Sequence, residues 1–145
     1  MSKARKSRIK PVICLPGARM SEPEVIEMML TPYLHLHQLL AEGCANPHYV
    51  ASVVGVINLA TALAYMDEDL RAVSLYESVA PLLIALAHHG LDRHKAEEGE
   101  RLRKVFGIAE SFIIAHSKAN ILRAVRLIEY QIEHGQGAIP LPAAA

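Results

Sequence analysis

Apolar residues recur along most of this chain at the three- and four-residue spacing that places them on one side of an α-helix. No stretch alternates apolar and polar residues as a half-buried strand would. Alanine and leucine are abundant whereas threonine and aromatic residues are few, and this bias also favours helices. The pattern therefore predicts an all-α protein, an antiparallel helical bundle of four to five helices with a kinked first helix and a long C-terminal helix.

A capping signal marks the start of the first helix. Ser21 followed by Glu24 is a capping-box pattern, so we expect this helix to begin near Glu22. Pro32 interrupts the apolar pattern ten residues later. Either the helix kinks there, or Thr31 caps a second piece with the proline in its first turn.

The second helix has the clearest start, because Asn46 is a capping residue and Pro47 follows it at the first helical position. The segment from there to about Met66 is apolar on nearly every face, which predicts a central helix. Residues 43–66 contain no charged side chain and could span a bilayer by length. Because polar residues and a proline interrupt the run, we favour a buried bundle helix over a membrane span.

The third helix is expected to run from about Asp69 to His89 and to bend at Pro81. The last segment, residues 92–134, contains no proline and predicts either one long helix or two helices joined near Ser117. A continuous helix of that length would measure roughly 60 Å. It would be about twice as long as the earlier helices, so part of it would extend beyond the bundle.

An apolar stripe that extends beyond the bundle needs a partner, and a second copy of the chain is the simplest one. We therefore predict a homodimer formed through the last segment. The predicted interface residues are Val105, Ile108, Phe112, Leu122, Val125 and Ile132.

The net charge is zero, but basic and acidic residues are unevenly distributed along the chain. The first twenty residues carry six basic residues and no acid, whereas residues 22–100 carry twelve acids and three bases. We divide the chain into a flexible basic arm (1–20), a helical bundle domain (21–135) and a disordered tail (136–145). The arm is either a solvated tail or a contact for nucleic acid. In the second case the binding residues would be Lys3, Arg5, Lys6, Arg8 and Lys10.

Candidate chemistry is sparse. Phosphate-binding glycine loops, nucleophile elbows and zinc-protease motifs are missing, so we predict no enzymatic activity and no cofactor.

His116 lies among apolar residues and is expected to be a hydrogen-bonded histidine of the core or an interface. Cys14 and Cys44 are far apart and fit free thiols in a reducing cytoplasm. One histidine cluster has the side chains that zinc or nickel prefers, namely His88, His89, Asp92 and His94.

These observations lead to three functional hypotheses. The first is a non-enzymatic small regulatory or adaptor protein of the cytoplasm, which acts through helix-mediated protein–protein interaction as a homodimer. The second is a nucleic-acid-binding regulator that uses the basic arm. The third is a histidine-based metal-binding helical protein.

Overall fold

The computed structural model describes residues 17–42, 46–89 and 96–135, and this part of the chain is all-α, as predicted. The third predicted helix forms as two helices separated by two residues. If these two are counted as one bent helix, the described part of the chain contains five helices. The six segments are α1 (Glu22–Glu42), α2 (Pro47–Met66), α3 (Leu70–Glu77), α4 (Ala80–His89), α5 (Ala96–Ile114) and α6 (Lys118–Glu133).

Helix α2 occupies the centre of the bundle. It packs against each of the other five helices, and most of its residues from Val50 to Ala64 are buried. Ala51 and Ser52 are partly buried, and Gly55 is exposed, so that a Cβ atom built on it would meet no other atom. The prediction of a central second helix is thus confirmed, and the apolar surface of α2 organises the core.

Within the described ranges, two segments are long and apolar enough to cross a membrane, judged by length and composition alone. The first is Pro47–Met66, of which 61% is buried inside the bundle, and the second is Leu70–His88, of which 28% is buried. A mostly buried core helix of a soluble protein meets the same criteria. The two segments are therefore weak evidence for a membrane protein.

The predicted helix starts agree with the observed caps. The Asn46 side chain accepts a hydrogen bond from the backbone of His48 (3.0 Å), and the Ser21 hydroxyl accepts one from the backbone of Glu24 (3.4 Å). Helix α1 continues through Pro32 as one segment, so no second piece starts at Thr31.

The last segment divides in two, which is the second of the alternatives predicted from its sequence. Helix α5 ends at Ile114, and Ser117 caps α6 by accepting a hydrogen bond from the backbone of Asn120 (3.2 Å). No continuous 60 Å helix forms, so the apolar stripe is split between two helices. Of the α5 part of the stripe, Val105 lies in the core and Phe112 packs against it, whereas Ile108 is exposed.

In the turn that ends α2, one residue other than glycine has the left-handed backbone conformation. Glu68 has φ +56°, while its N–H donates to Tyr65 O (3.1 Å) and the Asp69 N–H donates to Ala64 O (2.9 Å). These two bonds form a Schellman motif, in which glycine normally occupies the left-handed position. The backbone at Glu68 is therefore strained by its own Cβ atom.

We predict that Glu68→Gly raises the free energy of unfolding by about 0.5–1 kcal/mol. Relief of the left-handed strain outweighs the larger conformational freedom of glycine in the unfolded chain. Urea denaturation followed by circular dichroism measures the difference. Glu68→Ala is the control, since it removes the charge but keeps the Cβ atom, and a glycine variant no more stable than the alanine variant would contradict the prediction.

Candidate functional site

Residues 17–20 lie along the turn between α5 and α6. Arg19 forms an isolated antiparallel bridge with Ser117, and the Lys118 N–H donates a hydrogen bond to Ala18 O (2.8 Å). We call residues 17–20 the strap. The strap belongs to the predicted basic arm (1–20), and it brings the point where residues 1–16 join the bundle next to the start of α6.

An ion pair joins the first turns of α1 and α6. Lys118 Nζ lies 2.7 Å from Glu24 Oε1, and the Ser21 N–H donates to the same carboxylate (3.1 Å). The hydrogen bond with Lys118, followed by those with Ser21, lowers the pKa of Glu24 from 4.5 to about 2. Glu24 thus serves both as the acid of the α1 capping box and as the link to α6.

His116 links the end of α5 to the end of α2. Its Nδ1 lies 2.6 Å from Phe112 O and its Nε2 lies 2.6 Å from Asp67 Oδ2, while only 10% of the side chain is exposed. The ring also packs against Phe112 (4.6 Å between centroids). These contacts confirm the expected hydrogen-bonded histidine.

An open groove of about 480 Å³ lies beside the strap. Two exposed guanidinium groups, those of Arg19 and Arg123, line it together with the side chains of Asn120, His116 and Asp67. Because the N-terminal end of α6 forms part of the wall, its helix dipole adds positive potential there. We call this surface the basic groove.

The outer side of α1 carries four large apolar side chains that are 50–55% exposed, namely Ile26, Leu30, Tyr33 and Leu34. Their spacing of three and four residues places them along one side of the helix. Helix α1 contains no lysine or arginine, and three carboxylates lie within its first six residues. We call this surface the α1 apolar face.

The α1 apolar face is not among the interfaces predicted from the sequence. Its signal was present in the sequence, because α1 carries a second apolar series beside the one that includes the buried Met29, Leu36 and Leu39. Two apolar series on one helix indicate that one of them remains outside the core.

The six predicted interface residues are not brought together on one surface. Val105 is 3% exposed and belongs to the core of the same chain. Phe112 is partly buried against Tyr76 and His116, while Ile108 is exposed on α5. Three of the residues share one helix and are exposed there, and these are Leu122, Val125 and Ile132 on α6.

Two other sets of predicted residues lie largely outside the described part of the chain. The five arm residues proposed for nucleic acid (Lys3, Arg5, Lys6, Arg8 and Lys10) are among them. Of the proposed metal ligands, His88 is exposed on α4, whereas the side chain of His89 and the whole of Asp92 and His94 fall outside that part. Residues 17–42, 46–89 and 96–135 contain no group of three His, Cys, Asp or Glu side chains placed to hold a metal ion.

Comparison of the chain with protein-family models, with curated proteins and with solved structures gives no match. Function is therefore inferred from the residues of this chain.

We predict that Glu24 stabilises the fold in a pH-dependent way. Because the pKa of Glu24 is lowered from 4.5 to about 2 in the folded protein, its ionised carboxylate stabilises the fold. This contribution to the free energy of unfolding is fully present above pH 4.5 and is lost as the pH falls through about 2. The stability advantage of the wild type over Glu24→Gln should therefore shrink across this range. Urea denaturation at several pH values measures it, with Glu27→Gln as the matched control on the same helix. A difference between wild type and Glu24→Gln that stays constant with pH would contradict the prediction.

Proposed function

We propose that the protein is a small, non-enzymatic cytoplasmic regulator or adaptor that binds a protein partner through the α1 apolar face. The observation that carries this proposal is the half-exposed series Ile26, Leu30, Tyr33 and Leu34 on one side of one helix. A contiguous exposed apolar surface of this kind is typical of an interaction site. None of the four side chains carries a charge.

The chemistry of α1 also defines the partner. Helix α1 presents carboxylates at its N-terminal end and contains no lysine or arginine. A matching partner is an amphipathic helix whose apolar stripe packs on the face and whose lysine or arginine residues lie near Glu22 and Glu27.

The expected affinity is modest. Covering the exposed half of each of the four side chains contributes about 1 kcal/mol, hence about 4 kcal/mol from this protein's side of the interface. The partner's apolar residues contribute a similar amount, while association itself costs at least about 4 kcal/mol. The apolar contact alone therefore supports a transient complex, and the charged residues at its edge contribute to specificity.

The experiment that tests this proposal is site-specific photo-crosslinking in the native host cell. A photoreactive residue at position 30 should trap a defined partner protein, whereas one at position 70 should not. Leu70 is the matched control because it is a leucine on α3 with 73% of its surface exposed. The trapped protein is then identified by mass spectrometry and purified for direct binding.

The double variant Leu30→Glu, Leu34→Glu should weaken binding of that purified partner at least about tenfold, since each change places a carboxylate in an apolar contact. Leu70→Glu should leave binding unchanged. Circular dichroism verifies that both variants keep their helices. Equal crosslinking from positions 30 and 70, or unchanged binding by the double variant, would contradict the proposal.

A second candidate function is binding of nucleic acid, and the position of the strap supports it. The strap places Arg19 on the same groove as Arg123, and it connects residues 1–16, which contain five of the chain's basic residues, to that groove. Phosphate groups bind to such basic surfaces with little dependence on sequence.

On this second candidate function, we predict that oligonucleotide affinity falls steeply with salt and that the double variant Arg19→Ala, Arg123→Ala lowers the salt slope by about two. Fluorescence anisotropy with short duplex and single-stranded oligonucleotides measures both. Arg71→Ala, an exposed arginine on α3, is the matched control. An affinity insensitive to salt, or no binding by the wild type at low salt, would exclude this function.

A further inference from the structure

Helix α6 carries an exposed series with the spacing of a coiled-coil seam. Leu122, Val125, Glu129 and Ile132 are separated by three, four and three residues, and all four are exposed. The apolar members Leu122, Val125 and Ile132 are 40%, 37% and 52% exposed, whereas Ile121 and Ala124, on the adjoining side of the helix, are buried. This spacing keeps side chains on one line along a helix that packs against another helix. We call the series the α6 seam.

Basic and acidic residues occupy different halves of α6. Arg123 and Arg126 lie in the N-terminal half, and Glu129 and Glu133 lie in the C-terminal half. None of these four forms an ion pair with another residue of the described part of the chain. Their charges are thus available to a molecule that packs along the seam.

We propose that a second copy of the chain packs on the α6 seam, with the two α6 helices antiparallel about a two-fold axis near Leu127. Antiparallel packing places the basic half of each helix against the acidic half of the other. Arg126 then lies opposite Glu129 of the second copy, and Leu122 lies opposite its Ile132. A parallel pair would instead place like charges side by side. This self-complementarity is what a two-fold symmetric interface requires, and it identifies the second copy as the occupant.

The inference rests on the proposed function, because it gives the adaptor its dimeric form while leaving the α1 apolar face for the partner. Sixteen residues of helix measure roughly 24 Å. One helix of this length on each side buries less than the roughly 800 Å² per partner of a standard interface. The dimer should therefore dissociate on dilution.

The test uses two charge-reversal variants of the full chain, Arg126→Glu and Glu129→Arg. Each alone places like charges across the two-fold axis, so the dimer dissociation constant should rise at least about tenfold in sedimentation velocity experiments. An equimolar mixture of the two variants should form a heterodimer again, because the glutamate introduced in one chain then faces the arginine introduced in the other. Arg103→Glu on α5 is the control and should leave the dimer intact.

Leu122→Gln provides a second variant without a change of charge, and it should also weaken the dimer. The proposal is overturned if the wild type is monomeric at all concentrations tested, if the single variants dimerise like the wild type, or if the mixture stays monomeric. Failure of the proposed function is distinguishable, because crosslinking from position 30 does not require dimerisation through α6. A monomeric protein that still crosslinks there would overturn only the inference about α6.

Discussion

The fold depends on the removal of α2 from water. Helix α2 has twenty residues without a single charged side chain, and every other described helix of the bundle packs against it and covers most of its apolar surface. Several polar residues of α2 have hydrogen-bond partners. The Thr61 hydroxyl donates to Ile57 O (2.7 Å), and the Ser52 hydroxyl donates to His48 O (3.2 Å) and is hydrogen-bonded to His35 Nδ1 of α1 (2.6 Å).

Burial of apolar surface has no direction, so it does not by itself determine how the surrounding helices are arranged. Polar contacts at the C-terminal end of α2 supply that direction. His116 holds the end of α5 against Asp67, Lys118 holds the start of α6 against Glu24, and the strap pairs with Ser117. Each of these contacts has a defined geometry. Together they bring the starts of α1 and α6 to the same end of the bundle.

The parts of the structure that follow from local rules were predictable. Capping residues determine where a helix starts, so the starts of α1 and α2 could be derived from Ser21, Asn46 and their neighbours. The packing of α5 could not be derived, because periodicity shows that a stripe exists but not what covers it. For this reason Val105 was expected at an interface, although it lies in the core. The contact between His116 and Asp67 joins residues 49 positions apart, and no local pattern encodes it.

The same reasoning explains why apolar surface remains on the outside. A central helix surrounded by five others gives each of them one inner face, and a helix that is apolar on two sides can bury only one of them. Helices α1 and α6 both pack on α2 by one side and leave a second apolar series exposed. The two series lie on separate helices, so occupying one does not use the residues of the other. Under the proposed assignment, one chain can therefore bind its own copy through α6 and a partner through α1 at the same time. The resulting dimer presents two α1 faces, and a partner with two matching helices would bind it more tightly than a single face allows, because the second contact forms at a high effective concentration.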